Sequence, residues 1–141
     1  MSLDPETCLF CREPGGKVLW RSASCRVVWP EEPEQPGVCR VVYARHVAEM
    51  TDLDEAERFT FSKVVFATER ALRDTLRPDK MNLASLGNLV PHLHWHVIPR
   101  WRDDRHFPRP IWAEPMRPAT LRPLGADVSE RIADALVRIL T

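Results

Sequence analysis

Apolar positions along this 141-residue chain recur with two periods. Three short runs, Lys17 to Trp20, Cys25 to Trp29 and Cys39 to Tyr43, are rich in β-branched and aromatic residues and are divided by turn formers. They predict three strands, the first two joined as a hairpin through Arg21 to Ser24. Residues 30–37, PEEPEQPG, hold too much proline for a helix or a central strand and predict a surface loop. From Asp54 the period turns helical: Phe61, Val64, Val65, Leu72 and Leu76 fall on one stripe, Asp54 and Glu57 have capping-box spacing, and Pro78 bounds the end. Met81 to Leu86 then predicts a strand, Gly87 and Asn88 a turn, and PHLHWHVIPR a further strand. Between Trp101 and Gly125, Pro108, Pro110, Pro115, Pro118 and Pro123 leave little room for regular structure. A last helix is expected over 127–140, with Asp127 as its cap and Val128, Ile132, Leu136, Ile139 and Leu140 on one face.

This order predicts an α+β fold: an antiparallel sheet of about five strands, with one long helix and a C-terminal helix packed against it. The length suits one domain over 1–141, with the proline-rich segment at 101–125 inside it. Twenty basic and twenty acidic residues cancel without long runs of either sign, so neither a nucleic acid nor a membrane surface is an expected partner. The opening MSLDPETCLF lacks a charged region followed by an apolar stretch, and no later stretch reaches the length of a membrane span; a cytoplasmic setting is expected. Of four cysteines, Cys8 and Cys11 form a C-x-x-C pair, which in that setting suggests metal or redox chemistry before a bridge. Cys25 and Cys39 open apolar runs and are expected to pack.

The chemistry gathers at His92, His94 and His96. On a strand their alternation puts them on one face and Leu93, Trp95 and Val97 on the other. A half-buried strand with a histidine-rich polar face is the plain reading, but strict alternation of three makes it a weak one. A metal centre is a second reading, since imidazoles at i and i+2 can converge on zinc, copper or iron. Each further pair of residues adds about 6.7 Å, however, so three ligands to one ion would need a strongly bent strand. Nucleophilic catalysis is the third, because neutral imidazole, with a pKa of about 6.5, is a good nucleophile near neutrality and its neighbours can orient it or protonate a departing group. The glycine turn in ASLGNLVPHLH favours the third reading: backbone N–H groups there can hold an anion, with Asn82 and Asn88 as added donors.

The stretch His92-Leu-His94-Trp-His96-Val-Ile98 resembles the signature of the histidine triad family. The resemblance runs from Cys8 to Trp101 and takes in the C-x-x-C pair, Arg45-His46 leading into Thr51-Asp52-Leu53 and a helix, and the Gly87-Asn88 turn. It implies a hydrolase that cleaves a nucleoside monophosphate from phosphoramidates, dinucleoside polyphosphates or similar conjugates through a nucleotidyl-histidine intermediate. It assigns the nucleophile to His94, its organiser to His92, and the phosphate and leaving-group contact to His96. It also implies a structural zinc on Cys8, Cys11, His46 and His92, a nucleotide as substrate, and a homodimer. Substrate contacts would come from Asn82, Gly87, Asn88 and Leu89. The transferase branch of the family usually replaces the third histidine; His96 favours hydrolysis. The chain departs from the pattern at Leu89, where several family hydrolases carry a serine or threonine that touches phosphate. It departs again at Pro30, beside Glu31, where some relatives hold the ribose with an acidic side chain. Trp20, Trp29, Trp101 and Trp112 read as core or rim residues able to stack on a base, and Arg100 and His106 as parts of a solvated loop. Two other functions stay open: a nucleotide-binding or interaction protein with little turnover, and a metalloenzyme using His94 and His96 as ligands.

Overall fold

Strands Lys17–Arg21 (β1), Cys25–Trp29 (β2), Cys39–Tyr43 (β3), Lys80–Ala84 (β4) and His94–Arg100 (β5) form one sheet in the order β1-β2-β3-β5-β4. All neighbours are antiparallel. The computed structural model describes residues 4–141; the first three residues of the opening stretch read for a leader lie outside it. The β1–β2 hairpin closes where Ser22 N–H donates to the Cys25 carbonyl, while Ser22 Oγ accepts from the N–H groups of Ser24 and Cys25. β5 lies between β3 and β4, so the histidine strand is central and paired along both edges.

One face of the sheet is covered by two helices, Glu55–Leu76 (α2) and Val128–Leu140 (α3). α2 begins at the expected capping box: Asp54 accepts from Glu57 N–H at 2.8 Å and Glu57 accepts from Asp54 N–H at 2.9 Å. Its stripe packs with Ile132 and Leu136 of α3 over Val27, Val41, Leu93 and Val97 in the main core. Burial of such side chains is the main force holding the layers together. Asp127 occupies the position before α3, but its carboxylate caps no backbone N–H, and Ile139 is exposed rather than part of the buried face. Among the described residues no helix is long and apolar enough to cross a membrane.

The opposite face is covered by shorter pieces. A short helix, Leu9–Arg12 (α1), brings Phe10 and the preceding Cys8 onto Val28 and Val42. Arg26 fastens this segment by donating to the carbonyls of Phe10, Glu13 and Pro14. Residues 101–125 carry neither helix nor strand, as expected, yet they are tied down by polar contacts. Arg100 is 2% exposed; it pairs with Asp104 at 2.8 Å and donates to Asn82 Oδ1 and to the Arg109 carbonyl. This corrects the reading of Arg100 as a solvated loop residue. A guanidinium at a strand end can be buried when its donors meet acceptors, as four of the five N–H groups do here. Arg117 adds donations to the Asp104 and Phe107 carbonyls, and His106 stays half-buried in the same loop.

Two strand limits differ from the sequence reading by two residues or more. β4 ends at Ala84 rather than Leu86, because Ser85 turns its hydroxyl onto the His94 carbonyl at 2.8 Å. β5 starts at His94 rather than Pro91: His92 N–H folds back onto the Val90 carbonyl just after Pro91, and ladder pairing begins two residues later.

Candidate active site

His94 is buried, and its Nδ1 lies 2.6 Å from the carbonyl oxygen of His92. A carbonyl only accepts, so Nδ1 carries the proton and Nε2 keeps its lone pair. Burial pushes the pKa of His94 down, Arg40 pushes it further, and the bond to the His92 carbonyl works the other way. His96 is pushed down to about 4, first by burial and then by His94 and Arg40. Both rings are therefore neutral near pH 7. They meet edge to face at 5.0 Å, and Phe10 packs on His94 at 4.8 Å.

His92 is fixed by the same logic with the nitrogens reversed. Its Nε2 donates to the Tyr43 carbonyl at 2.6 Å, which leaves the Nδ1 lone pair facing Cys8 Sγ at 3.3 Å, Cys11 Sγ at 3.5 Å and His46 Nδ1 at 3.2 Å. The donor atoms of Cys8, Cys11, His46 and His92 all lie within 4.8 Å of one another, so these four can hold a metal ion. A tetrahedral ion with the usual zinc–sulfur and zinc–nitrogen distances would separate its ligands by about 3.3–3.8 Å, and the contacts to His92 fall at the low edge of that span. The Tyr43 carbonyl stands where an outer partner would fix such an imidazole on a metal. His94 and His96 belong to no such group of three among the described residues.

A cleft of about 400 Å³ opens beside His94 and His96. Gly87, Asn88 and Leu89, the expected substrate contacts, line it. Gly87 has φ of +71°, a conformation that other residues adopt only with strain, so the turn depends on glycine. Leu89 is 92% exposed at the rim. Asn82 does not line the cleft; its side-chain oxygen is taken by Arg100. Of the four tryptophans read as able to stack on a base, Trp112 lines the cleft and meets His96 edge to face at 5.0 Å, Trp101 is buried, and Trp20 and Trp29 pack against the main core. Cys25 and Cys39 are buried free thiols. Sequence reasoning missed Phe10 and Arg40. The alternation of CRVVY does put Arg40 and Val42 on one face, but nothing local says that β3 will lie beside the histidine strand.

The HIT domain model matches residues 12–103, well over half of the chain. The chain belongs to the histidine triad, or HIT, family. A curated relative from Mycobacterium tuberculosis, named AP-4-A phosphorylase, is 34% identical to this HIT chain, over 76% of the chain and 58% of the relative. The chain thus spans little more than half the length of that relative. A histidine triad protein from Bradyrhizobium japonicum has a solved structure with a TM-score of 0.72 at 28% identity, covering 91% of this chain and 92% of that one. A Zn-bound histidine triad family protein from Mycobacterium smegmatis shares the fold with a TM-score of 0.67 at 21% identity, covering 96% of each.

Proposed function

We propose that this HIT chain is a nucleotide-processing enzyme that cleaves nucleotidyl conjugates at the α-phosphorus through a covalent adduct on His94. The observation that carries the reading is the bond from His94 Nδ1–H to the His92 carbonyl, which frees Nε2 as a neutral nucleophile beside the cleft. In the first step Nε2 forms a bond to the α-phosphorus while the bond from phosphorus to the leaving group breaks, its electron pair departing with that group. The ring gains positive charge, and the carbonyl already bound to Nδ1–H stabilises it. In the second step water attacks the same phosphorus, the P–N bond breaks, nucleoside monophosphate leaves and a proton is released. Two moderate barriers replace one high one. His96 contacts phosphate and leaving group in this scheme, while Gly87, Asn88 and Leu89 form the wall facing it.

Cys8, Cys11, His46 and His92 suit a structural zinc, a reading supported by their donor set and by the Zn-bound family neighbour. The ion would hold the N-terminal segment to the sheet and fix His92, whose carbonyl orients His94. Phe59 and Phe66, 72% and 60% exposed on α2, support a homodimer that uses the long helix.

A second acceptor is favoured by one observation: the 34% identical relative is named a phosphorylase. If phosphate replaces water in the second step, the product is a nucleoside diphosphate. Intact-mass spectrometry of wild-type and His94→Ala protein, quenched without acid after mixing with a nucleotidyl conjugate, tests the reading. An adduct on wild type alone, with turnover lost in the variant, is expected. Binding with neither adduct nor turnover would instead make this a nucleotide-binding protein, and the product released in phosphate buffer separates hydrolysis from phosphorolysis.

A further inference from the structure

Arg40 stands directly across the ladder from His96, on the sheet face that carries His94, and lines the cleft with both. Its Nε is shut off from water without a hydrogen-bond partner, and no carboxylate lies within ion-pair distance of it among the described residues. Burial pushes its pKa down, and Glu32 is near enough only to oppose that shift in part. A half-buried guanidinium with an unused donor is costly unless something else supplies the acceptor. Its planar fork fits phosphate oxygens, and no pH near neutrality removes its charge. No carboxylate lines the cleft, and the other walls include Phe10, Leu86, Val90 and Trp112. The exposed Leu89 brings no hydroxyl to the opposite rim.

We propose that Arg40 is a specificity-determining residue that grips phosphate oxygens beyond the α-phosphorus. The substrates it selects are nucleotidyl conjugates whose leaving group is an anionic phosphate chain, in preference to phosphoramidates, whose leaving group is an amine. The inference rests on the reading of His94 as the attacking residue. A departing phosphate chain gains negative charge as the P–O bond breaks, and a guanidinium held in a partly dry cleft stabilises that charge without reorganising. A departing amine needs a proton instead. His96, kept neutral by burial and by the two neighbours described above, is a poor source of one.

The test compares kcat/KM for diadenosine tetraphosphate and for adenosine 5′-phosphoramidate in wild type, Arg40→Gln and Arg40→Lys. Wild type should prefer the tetraphosphate. Arg40→Gln should lower that preference by about 30-fold through loss on the tetraphosphate alone, and Arg40→Lys should restore part of it. Equal losses on both substrates, or none, would overturn the proposal. A binding measurement keeps the outcome independent of turnover: in His94→Ala protein, ATP should bind more tightly than AMP, and adding Arg40→Gln should erase the difference. If the difference survives, Arg40 is not the phosphate grip. If wild type turns over neither substrate yet shows the Arg40-dependent difference, the cleavage reading fails and the grip stands. Arg40→Met, which keeps the apolar stem, serves if the glutamine variant does not fold.

Discussion

Leu93 and Val97 lie beneath α2 and α3 in a core of aliphatic and aromatic side chains, whereas their neighbours His94 and His96 look the other way, into a cleft. The helix-covered face is held mainly by burial, with Lys17 on Ser129 and Tyr43 on Glu57 as added polar ties. On the cleft face the cover is held by aimed polar contacts: Arg26 on the N-terminal carbonyls, Arg100 on Asp104, and the cysteine-histidine group. Packing tolerates exchange of one apolar residue for another of like volume, while a hydrogen bond to a buried charge does not tolerate loss of its partner. The contrast teaches where stability and chemistry can be separated in this chain. Damage to the helix face should cost folding and leave the chemistry of folded molecules alone, damage to the triad should cost chemistry first, and damage to the polar contacts that hold the cover should cost stability.

The sharpest break pairs His94→Ala with Leu72→Ala. Turnover of a nucleotidyl conjugate should fall roughly 10⁴-fold or more in the first, with a smaller loss of urea midpoint than in the second. The second, in the fully buried stripe of α2, should lose about 2–5 kcal/mol in urea unfolding with the rate per folded molecule preserved. Equal losses of stability in both would erase the distinction. Next in size is Asp104→Ala, which leaves the buried Arg100 with only neutral acceptors and should cost about 3 kcal/mol by denaturant titration. Limited proteolysis should then cut within 101–125 first, since that segment depends on the same contacts.

Metal removal follows. With zinc on Cys8, Cys11, His46 and His92 at a concentration a hundred times its Kd, binding would add about 2.7 kcal/mol. A chelator should therefore lower the unfolding temperature by roughly 5–10 °C in calorimetry. Cys11→Ser protein should show a smaller chelator effect; a full effect would place the ion elsewhere. The last effect is on pH dependence. His96 has its pKa depressed to about 4 in the fold, against about 6.5 when unfolded. Between those values the unfolded chain binds more protons, so stability is fully present above about 6.5 and falls as pH drops towards about 4. Urea midpoints across that window should slope downward in wild type and less steeply in His96→Asn.

Much of the architecture was legible in local patterns. The three opening strands, the capping box of α2 and the irregular run after Trp101 are where the periods and prolines predict them. The triad was legible too as a motif, although only His94 and His96 alternate on the strand and His92 lies just before it. Errors came where a long-range contact overrules a local preference. Ser85 leaves the strand pattern to reach the His94 carbonyl, and Arg100 is drawn inside by Asp104, Asn82 and the Arg109 carbonyl. Asn82, expected at the substrate, is occupied by that same arginine.

By itself the sequence determined which residues share a face, where the long helix begins and which three imidazoles stand in file, because those properties are set by neighbours a few positions apart. Only the tertiary structure decided that β5 runs between β3 and β4, that Arg40 faces His96, that Trp112 returns to the cleft, and which nitrogen of each histidine keeps its lone pair. Each of these depends on strand register or on a carbonyl brought in from another part of the chain, and register is chosen by how the whole sheet buries its apolar face.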